Sequence, residues 1–244
     1  MCDKAFRLLA RVSLCSRANS FAAAALMWLP TRRRIERTSK EASTMLITGI
    51  KSRPVYDVLA PMSNGALHVI AGQGSGGQAL LRLLGELSDK SEHIVVFYST
   101  ESFSGKDFSA ELQAIETENL RLFKSNAELV GYLETYLSTA KTGLRLYLAG
   151  SESFIGTAMQ VANKFNLNSD EVLREHGGTY VRRVWCVHCD TYTENVTHRV
   201  FKCPGCGLDL VVRDHYSGRL AAFMGVKADA EQTGNMPAAE ELDT

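Results

Sequence analysis

An apolar run passes directly into a glycine-rich turn in the stretch Leu67-His68-Val69-Ile70-Ala71-Gly72-Gln73-Gly74-Ser75-Gly76-Gly77. Apolar residues then recur at helical spacing, at Ala79, Leu80, Leu83, Leu84 and Leu87. A buried strand that leads through glycines into a helix is the first half of a βαβ unit. This stretch therefore predicts an α/β fold with a parallel sheet.

Strands and helices alternate through the next hundred or so residues. β-Branched and aromatic residues predict a strand at 94–98, and apolar runs predict further strands at 119–123 and 144–150. Helical spacing predicts helices at 108–115 and 154–165. Parallel strands joined by helices are covered on both faces, so we predict a three-layer α/β domain of the nucleotide-binding kind.

Two serines mark predicted helix starts. Ser125 stands three residues before Glu128, which is the spacing of a capping box, and it predicts a helix that continues to about residue 140. Ser169 is predicted to cap another short helix that runs through Arg174.

The glycine-rich turn matches the G-x-G-x-x-G pattern of dinucleotide-binding proteins. Such glycines let the backbone approach a pyrophosphate, and the N-terminus of the following helix offers unpaired N–H groups to it. The predicted cofactor-binding residues are Gly72, Gly74, Ser75, Gly76 and Gly77, with Glu101 toward a ribose and Gly150 in a second turn at the same sheet edge. A strand-to-helix turn without a ligand is the alternative, and no catalytic residue is nominated.

Four of the six cysteines form two C-x-x-C pairs, Cys186 with Cys189 and Cys203 with Cys206. Two intervening residues let a tight turn direct both sulfurs at one ion, and four thiolates close a tetrahedral zinc site. The spacing predicts a small structural zinc ribbon. An iron site of the rubredoxin kind, or four reduced cysteines without metal, are the alternatives. The expected compartment is the reducing cytoplasm.

Composition divides the chain into four segments. Residues 1–44 form a basic leader with nine Lys/Arg and three Asp/Glu, which fits a transit peptide or translation from a start upstream of Met45. Residues 45–178 hold the predicted α/β domain, and residues 179–226 hold the predicted ribbon with a tail that contacts a partner. Residues 227–244 are acidic and poor in large apolar residues, so they are predicted to be disordered.

The charge and the apolar pattern of the body exclude two classes of partner. Beyond the leader, 18 basic residues face 24 acidic ones, and an acidic body argues against a nucleic-acid partner. No apolar run reaches the roughly 18 residues of a membrane-spanning helix, so no membrane partner is expected.

Residues from His68 to about Gly178 resemble the nicotinamide-dinucleotide half of ferredoxin reductase-type flavoproteins. The matching residues are His68-Val69-Ile70-Ala71-Gly72-Gln73-Gly74-Ser75-Gly76, the strand ending at Tyr98, Leu146-Tyr147-Leu148-Ala149-Gly150 with Phe154, and Glu175-His176. Ala149-Gly150-Ser151 stands where that family has Cys-Gly-Pro, and only about twenty residues lie between Met45 and His68, where the family has a flavin barrel. The resemblance therefore implies a nucleotide-binding fold without reductase activity of its own.

The body also resembles the DmmA-type subunit of bacterial dimethylamine monooxygenase. The residues that carry this are Lys51-Ser52-Arg53-Pro54-Val55-Tyr56, the cysteine pairs, Val212-Arg213-Asp214-His215-Tyr216-Ser217 and Phe223-Met224-Gly225-Val226. The resemblance implies an accessory subunit of a multisubunit enzyme that demethylates a secondary amine with oxygen and NADPH. Haem, flavin and iron–sulfur centres are expected on partner subunits, while this chain docks NADPH and holds the surface 213–219 against a partner. A free-standing NAD(P)-binding oxidoreductase and a structural adaptor with a degenerate nucleotide fold are the alternatives.

Overall fold

The computed structural model describes residues 52–87, 93–115, 119–231 and 233–242. All of them belong to one compact unit of the chain. The predictions made for the basic leader fall on residues 1–44, which lie outside the described part. Over the ranges given above, no helix combines the length and the apolar character that crossing a membrane requires.

Five parallel strands form the first sheet, in the order β3-β2-β1-β4-β5. Their bounds are Leu67–Gln73 for β1, Ile94–Ser99 for β2, Leu120–Phe123 for β3, Leu144–Gly150 for β4 and Val172–His176 for β5. Ile70 on β1 lies opposite Val96 of β2 on one side and Tyr147 of β4 on the other. The chain order reverses at β1, so the turns after β1 and β4 diverge and leave a crevice at the carboxyl edge of the sheet.

Among the described residues, four helices cover the two faces of this sheet: α1 Gly77–Glu86, α2 Ser109–Gln113, α3 Asn126–Leu137 and α4 Glu152–Lys164. Side chains alternate between the faces along β1. Ile70 packs in a core with Leu80 of α1, and Val69 packs in a second core with Leu129 of α3 and Ile155 of α4. The prediction of a three-layer α/β domain is confirmed.

The structure corrects the helix predicted after Ser169. Residues Ser169–Glu171 make a single 3-10 turn, and β5 begins at Val172. The cap lies one residue before the predicted Ser169: Asn168 is the N-cap, and its N–H donates to the Glu171 carboxylate at 2.9 Å. One turn of helix is all that follows, since Val172 pairs with Leu146 of β4 as a parallel edge strand.

The helix start predicted at Ser125 is present, with a variation. The Ser125 hydroxyl accepts from the Glu128 N–H at 3.2 Å. The Glu128 carboxylate accepts from the Lys124 N–H at 3.3 Å, one residue earlier than in a capping box. The helix ends at Leu137, before the predicted residue 140.

The second sheet is mixed and has the order β7-β6-β10-β9-β8. Its strands are β6 Arg182–Cys186, β7 Tyr192–Val196, β8 Val200–Lys202, β9 Asp209–Ser217 and β10 Ala222–Lys227. β10 runs parallel to β6 and antiparallel to β9. Short strand-like runs at 181–184, 200–202 and 208–213 predict β6, β8 and β9. No such pattern marks β7, whose residues are mostly polar and exposed, and the apolar run at 221–226 indicates an anchor where the structure has the strand β10.

The segment predicted to be disordered, 227–244, contacts this sheet in its described residues. The Arg199 N–H donates to the Glu240 carbonyl at 2.8 Å, and the Leu242 N–H donates to the Thr197 carbonyl at 2.9 Å. The Leu242 side chain is buried in the same core as Val196. The composition of a segment does not indicate whether one leucine in it is buried. Burial of one such side chain stabilises the folded protein by about 1.5–3 kcal/mol.

Candidate functional site

The four cysteine sulfurs converge on one point at the end of the second sheet. All four Sγ atoms lie within 4.8 Å of one another. Cys186 and Cys206 are 3.8 Å apart, and Cys189 and Cys203 are 3.6 Å apart. Four thiolates at about 2.3 Å from a tetrahedral ion are separated by roughly 3.8 Å. The donor set therefore fits a four-coordinate metal ion.

Two similar turns present the sulfurs. The Asp190 N–H donates to the Cys186 carbonyl, and the Gly207 N–H donates to the Cys203 carbonyl, both at 3.0 Å. Asp190 and Gly207, each directly after the second cysteine of a pair, adopt left-handed backbone with φ of 57° and 72°. A Cβ at Gly205 would lie 3.0 Å from the Cys189 sulfur and would collide with the Thr191 hydroxyl. The turns are therefore shaped around the sulfurs.

The surroundings of Cys189 favour its thiolate form, whereas those of Cys186 oppose it. The hydroxyl and then the backbone N–H of Thr191 lower the pKa of Cys189 to about 6. Burial raises the pKa of Cys186 to about 12. A bound cation is the usual means of ionising such a buried thiol. Four thiolates would leave the ion no open position, so the site suits a structural metal and offers no place for a substrate.

The glycine-rich turn is packed against other parts of the protein. Gly74–Gly76 form a 3-10 turn between β1 and α1. Gly74 has a left-handed φ of 48°, and a Cβ there would lie 2.5 Å from the Ser102 Cβ. A Cβ at Gly76 would collide with the backbone of Ala149 at the end of β4. Packing alone requires both glycines, with or without a ligand.

A crevice of about 550 Å³ lies at the carboxyl edge of the parallel sheet, bounded on its far side by the second sheet. Of the predicted cofactor residues, Glu101 lines it. Gly72, Gly74, Ser75, Gly76, Gly77 and Gly150 do not. Sequence reasoning missed several lining residues, since Asn126 and Ser153 come from helix starts and Arg183 and Glu194 come from the ribbon.

Side chains of the protein already occupy the helix ends around the crevice. The Gln73 amide donates to the Glu101 carbonyl, and its oxygen accepts from the Ser151 N–H at 3.0 Å. The Glu101 carboxylate accepts from the N–H of Asn126, the first residue of α3, at 2.7 Å. Helix N-termini attract anions through such N–H groups. Gln73 and Glu101 therefore supply oxygens where a phosphate group would supply them.

A largely buried ion-pair cluster ties the segment before β1 to the second sheet. The Asp214 carboxylate accepts from Arg182 at 2.9 Å and from Arg53 at 3.0 Å. Burial opposes ionisation, but the hydrogen bonds from Arg53 and Arg182 prevail and lower the pKa of Asp214. Burial raises the pKa of Glu152, the first residue of α4. The stretch 213–219 was predicted to be a partner surface, yet this carboxylate faces inward.

Alternation along β9 explains that difference. Asp214 is buried and His215 is exposed, as expected for neighbours on a strand. The ribbon is also tied to α4, because the Ser153 hydroxyl donates to Glu194 at 2.8 Å and Glu194 pairs with Arg183 at 2.7 Å. The period-two pattern could have placed Asp214, whereas no local pattern marks Glu152, Arg182 or Glu194.

Several solved structures are similar to part of this chain. Phthalate dioxygenase reductase is 16% identical over 59% of this chain and 47% of that chain, with a TM-score of 0.40. The flavohem-like FAD/NAD binding domain of nitric oxide dioxygenase from Vibrio cholerae O1 biovar El Tor is 14% identical over 52% of this chain and 56% of that chain, with a TM-score of 0.38. The chain thus spans about half the length of these structures.

Sequence relatives give the family. The heme-dependent oxidative N-demethylase delta subunit of Ectopseudomonas mendocina (strain ymp) is 36% identical over 144 residues, which make up 58% of this chain and 82% of that protein. Residues 48–172 match the model of the N-terminal domain of dimethylamine monooxygenase subunit DmmA-like proteins, and residues 183–226 match the model of their C-terminal domain. The chain therefore belongs to the DmmA-like family of dimethylamine monooxygenase subunits.

Proposed function

We propose that the protein is an accessory subunit of an NADPH- and oxygen-dependent complex that oxidatively demethylates a secondary amine such as dimethylamine. The observation that supports this most is that both halves of the chain match the DmmA-like domains, in the order of that family. The curated relative is a subunit of a heme-dependent oxidative N-demethylase. In this proposal the haem and the flavin and iron–sulfur centres lie on partner subunits in the cytoplasm and carry the redox chemistry.

The four cysteines hold Zn²⁺ in this proposal. Cys186, Cys189, Cys203 and Cys206 fill its coordination, so the ion fixes the two turns and performs no reaction. Iron in the same thiolate site is the competing occupant. Elemental analysis of the purified full chain tests this, with one zinc per chain as the expected result. A coloured iron–thiolate preparation would overturn the choice of metal, and a folded chain without any metal would overturn the site.

The crevice at the carboxyl edge is the proposed docking place for NADPH. The cofactor supplies electrons to a partner's flavin when it is bound. This chain's part is to hold its pyrophosphate beside Gln73, the residue of the Gly72–Gly77 turn that lines the crevice, and a ribose near Glu101. Gln73 and Glu101 would first release the N–H groups of Ser151 and Asn126. Support for this proposal comes from the size of the crevice and its position at the reversal of strand order.

A structural adaptor is the second candidate. It is favoured by the same hydrogen bonds, because a crevice whose helix ends are satisfied by Gln73 and Glu101 needs no anion to complete it. The adaptor would assemble with the partner subunits and would not bind a dinucleotide.

An assembled complex separates the two candidates. We would co-express the chain with the haem-containing and flavin/iron–sulfur subunits and titrate NADPH by calorimetry. Ala127→Arg places a long side chain in the crevice, whereas Ala110→Arg alters another exposed alanine, on α2, that does not line it. Docking predicts at least a tenfold loss of NADPH affinity in the first variant and none in the second. Equal affinity in wild type and both variants would favour the adaptor, and failure to assemble would refute the proposed function.

A further inference from the structure

The segment before β1 runs from one sheet to the other. The Ser52 N–H donates to the Asp214 carbonyl of β9 at 2.8 Å, and the Asp57 N–H donates to the Arg174 carbonyl of β5 at 2.9 Å. Anchored at both ends, the segment nevertheless presents Val55 with 80% of its surface exposed. A fixed backbone that displays an apolar side chain is suited to contact another molecule, because little ordering entropy is lost on binding.

Beside Val55 lies a groove of about 490 Å³ between this segment and the ribbon, which we call the Val55 groove. Its apolar lining comes from Pro54, Val55, Tyr56, Tyr180 and Phe223. Tyr180 is 41% exposed, and its ring stacks on His176 at 3.8 Å between centroids. Rigid aromatic rings around a groove are typical of the centre of a protein–protein contact.

Charged groups line the inner side of the groove. Arg53 uses Nη2 to bond both oxygens of Asp214, and no hydrogen bond of its Nε or Nη1 is seen within the described part of the chain. The side chain of Arg53 keeps 37% of its surface exposed. Arg182 also lines the groove and pairs with the same carboxylate. Two guanidinium groups share one aspartate. Glu152 also lines the groove but is buried, whereas Arg53 is partly exposed, so the accessible charged group of the groove is a guanidinium.

We propose that the Val55 groove receives a segment of a partner subunit that presents a carboxylate beside an apolar side chain. The carboxylate meets the free edge of Arg53, and the apolar side chain packs between Val55 and Tyr180, which are both exposed. Charge complementarity selects this occupant over a cationic or purely apolar one. The inference rests on the proposed function, since it supplies the contact by which an accessory subunit joins its complex.

A matched pair of substitutions tests this surface. Val55→Asp removes the apolar contact and places a negative charge where the partner's carboxylate would bind. Val58→Asp makes the same change three residues away, at a valine that is 61% exposed and does not line the groove. The probes are the haem-containing and the flavin/iron–sulfur subunits, each purified separately, and the measurement is the dissociation constant by calorimetry. We expect at least a tenfold weaker complex for Val55→Asp and less than a twofold change for Val58→Asp.

A third variant examines the charge. Arg53→Lys keeps the positive charge near Asp214 but removes the spare guanidinium donors, and a threefold to tenfold weaker complex is expected. Equal affinity of wild type and Val55→Asp for the subunit that binds would overturn the groove while leaving the proposed function intact. A self-association of the wild type that Val55→Asp abolishes would assign the groove to a second copy and overturn the inference. Binding of neither subunit by the wild type would instead refute the proposed function.

Discussion

The cysteine site and the glycine-rich turn are both short motifs with regular spacing, yet the structure uses them differently. Four cysteine sulfurs lie within 4.8 Å of one another and aim at one point. The glycines allow close packing within the protein, since added Cβ atoms at Gly74 and Gly76 would collide with Ser102 and Ala149. A cysteine motif identifies the atoms that bind a ligand. A glycine motif shows only that a Cβ is absent, and either a ligand or a neighbouring strand can require that absence.

Loss of one thiolate should have the largest effect. Cys203→Ser leaves three ligands around a buried position, and metal ligation in such small units supplies on the order of 10 kcal/mol of folding free energy. We expect loss of bound metal and unfolding of the second sheet, measured by elemental analysis and circular dichroism.

Cys15→Ser is the control for this experiment, because Cys15 lies in the basic leader away from the two C-x-x-C pairs. It should keep the metal. A metal-free, fully folded Cys203→Ser protein would show that the cysteines are no more structural ligands than the glycines are.

The Asp214 cluster extends the comparison to convergent side chains that no motif marks. Asp214→Asn should destabilise the protein by about 3–5 kcal/mol, because it leaves the buried Arg182 without its counter-ion. The pKa of Asp214 lies below its ordinary value, so the wild type has this stabilisation at neutral pH and loses it as pH falls through the lowered pKa. Urea unfolding at several pH values measures both effects.

A surface ion pair provides the reference for Asp214→Asn. Glu134 and Lys164 are 2.9 Å apart but largely exposed, so Glu134→Gln should change the free energy of unfolding by less than about 1 kcal/mol. Similar effects of the two substitutions would mean that the Asp214 cluster contributes no more to the free energy of unfolding than a surface ion pair does.

A glycine substitution tests the packing interpretation of the turn directly. Gly76→Ala forces a methyl group into the Ala149 backbone and should destabilise the protein by about 3 kcal/mol or more. Gly85→Ala, within the helix α1 that follows the turn and with open space around it, should stabilise the protein by up to about 1 kcal/mol. Thermal unfolding measures both. An unchanged melting temperature for Gly76→Ala would contradict the packing interpretation and favour a ligand as the reason for the glycine.

Local patterns in the sequence predicted most of the first sheet, because its strands are buried and its helices are amphipathic. The strand at Val172 was missed, since capping residues before it predict a helix and only pairing with Leu146 decides for a strand. The cysteine spacing predicted the convergence of four sulfurs, because two residues between the cysteines of a pair form a tight turn that directs both sulfurs toward one point.

Contacts between distant elements could not be predicted in the same way. Arg53 and Asp214 are 161 residues apart, and Gln73 reaches the Ser151 N–H across the crevice. The first pair depends on where the segment before β1 crosses the second sheet, and the second pair depends on how the turns after β1 and β4 face each other. Both stretches carried the family resemblance, but nothing local to either one indicates that they touch.

The smallest predicted effect concerns Glu152, whose carboxyl lies near the same two arginines, Arg53 and Arg182, as Asp214 does. The pKa of Glu152 is raised, whereas the pKa of Asp214 is lowered. Burial raises the pKa of Glu152, so the native state holds this proton more tightly than the unfolded chain does. The contribution to stability is therefore complete below the ordinary pKa of a glutamate and is lost as pH rises through the raised pKa. Glu152→Gln keeps the size of the side chain and a hydrogen-bond partner for Tyr56 without the charge, so it should flatten this dependence and stabilise the protein by about 1 kcal/mol at pH 8. Glu128→Gln, at an exposed first turn, provides the comparison, and parallel urea titrations at pH 5 and pH 8 would reveal the difference. If Glu152→Gln leaves the pH dependence of the free energy of unfolding unchanged, Arg53 and Arg182 keep Glu152 ionised and the cluster is balanced in charge.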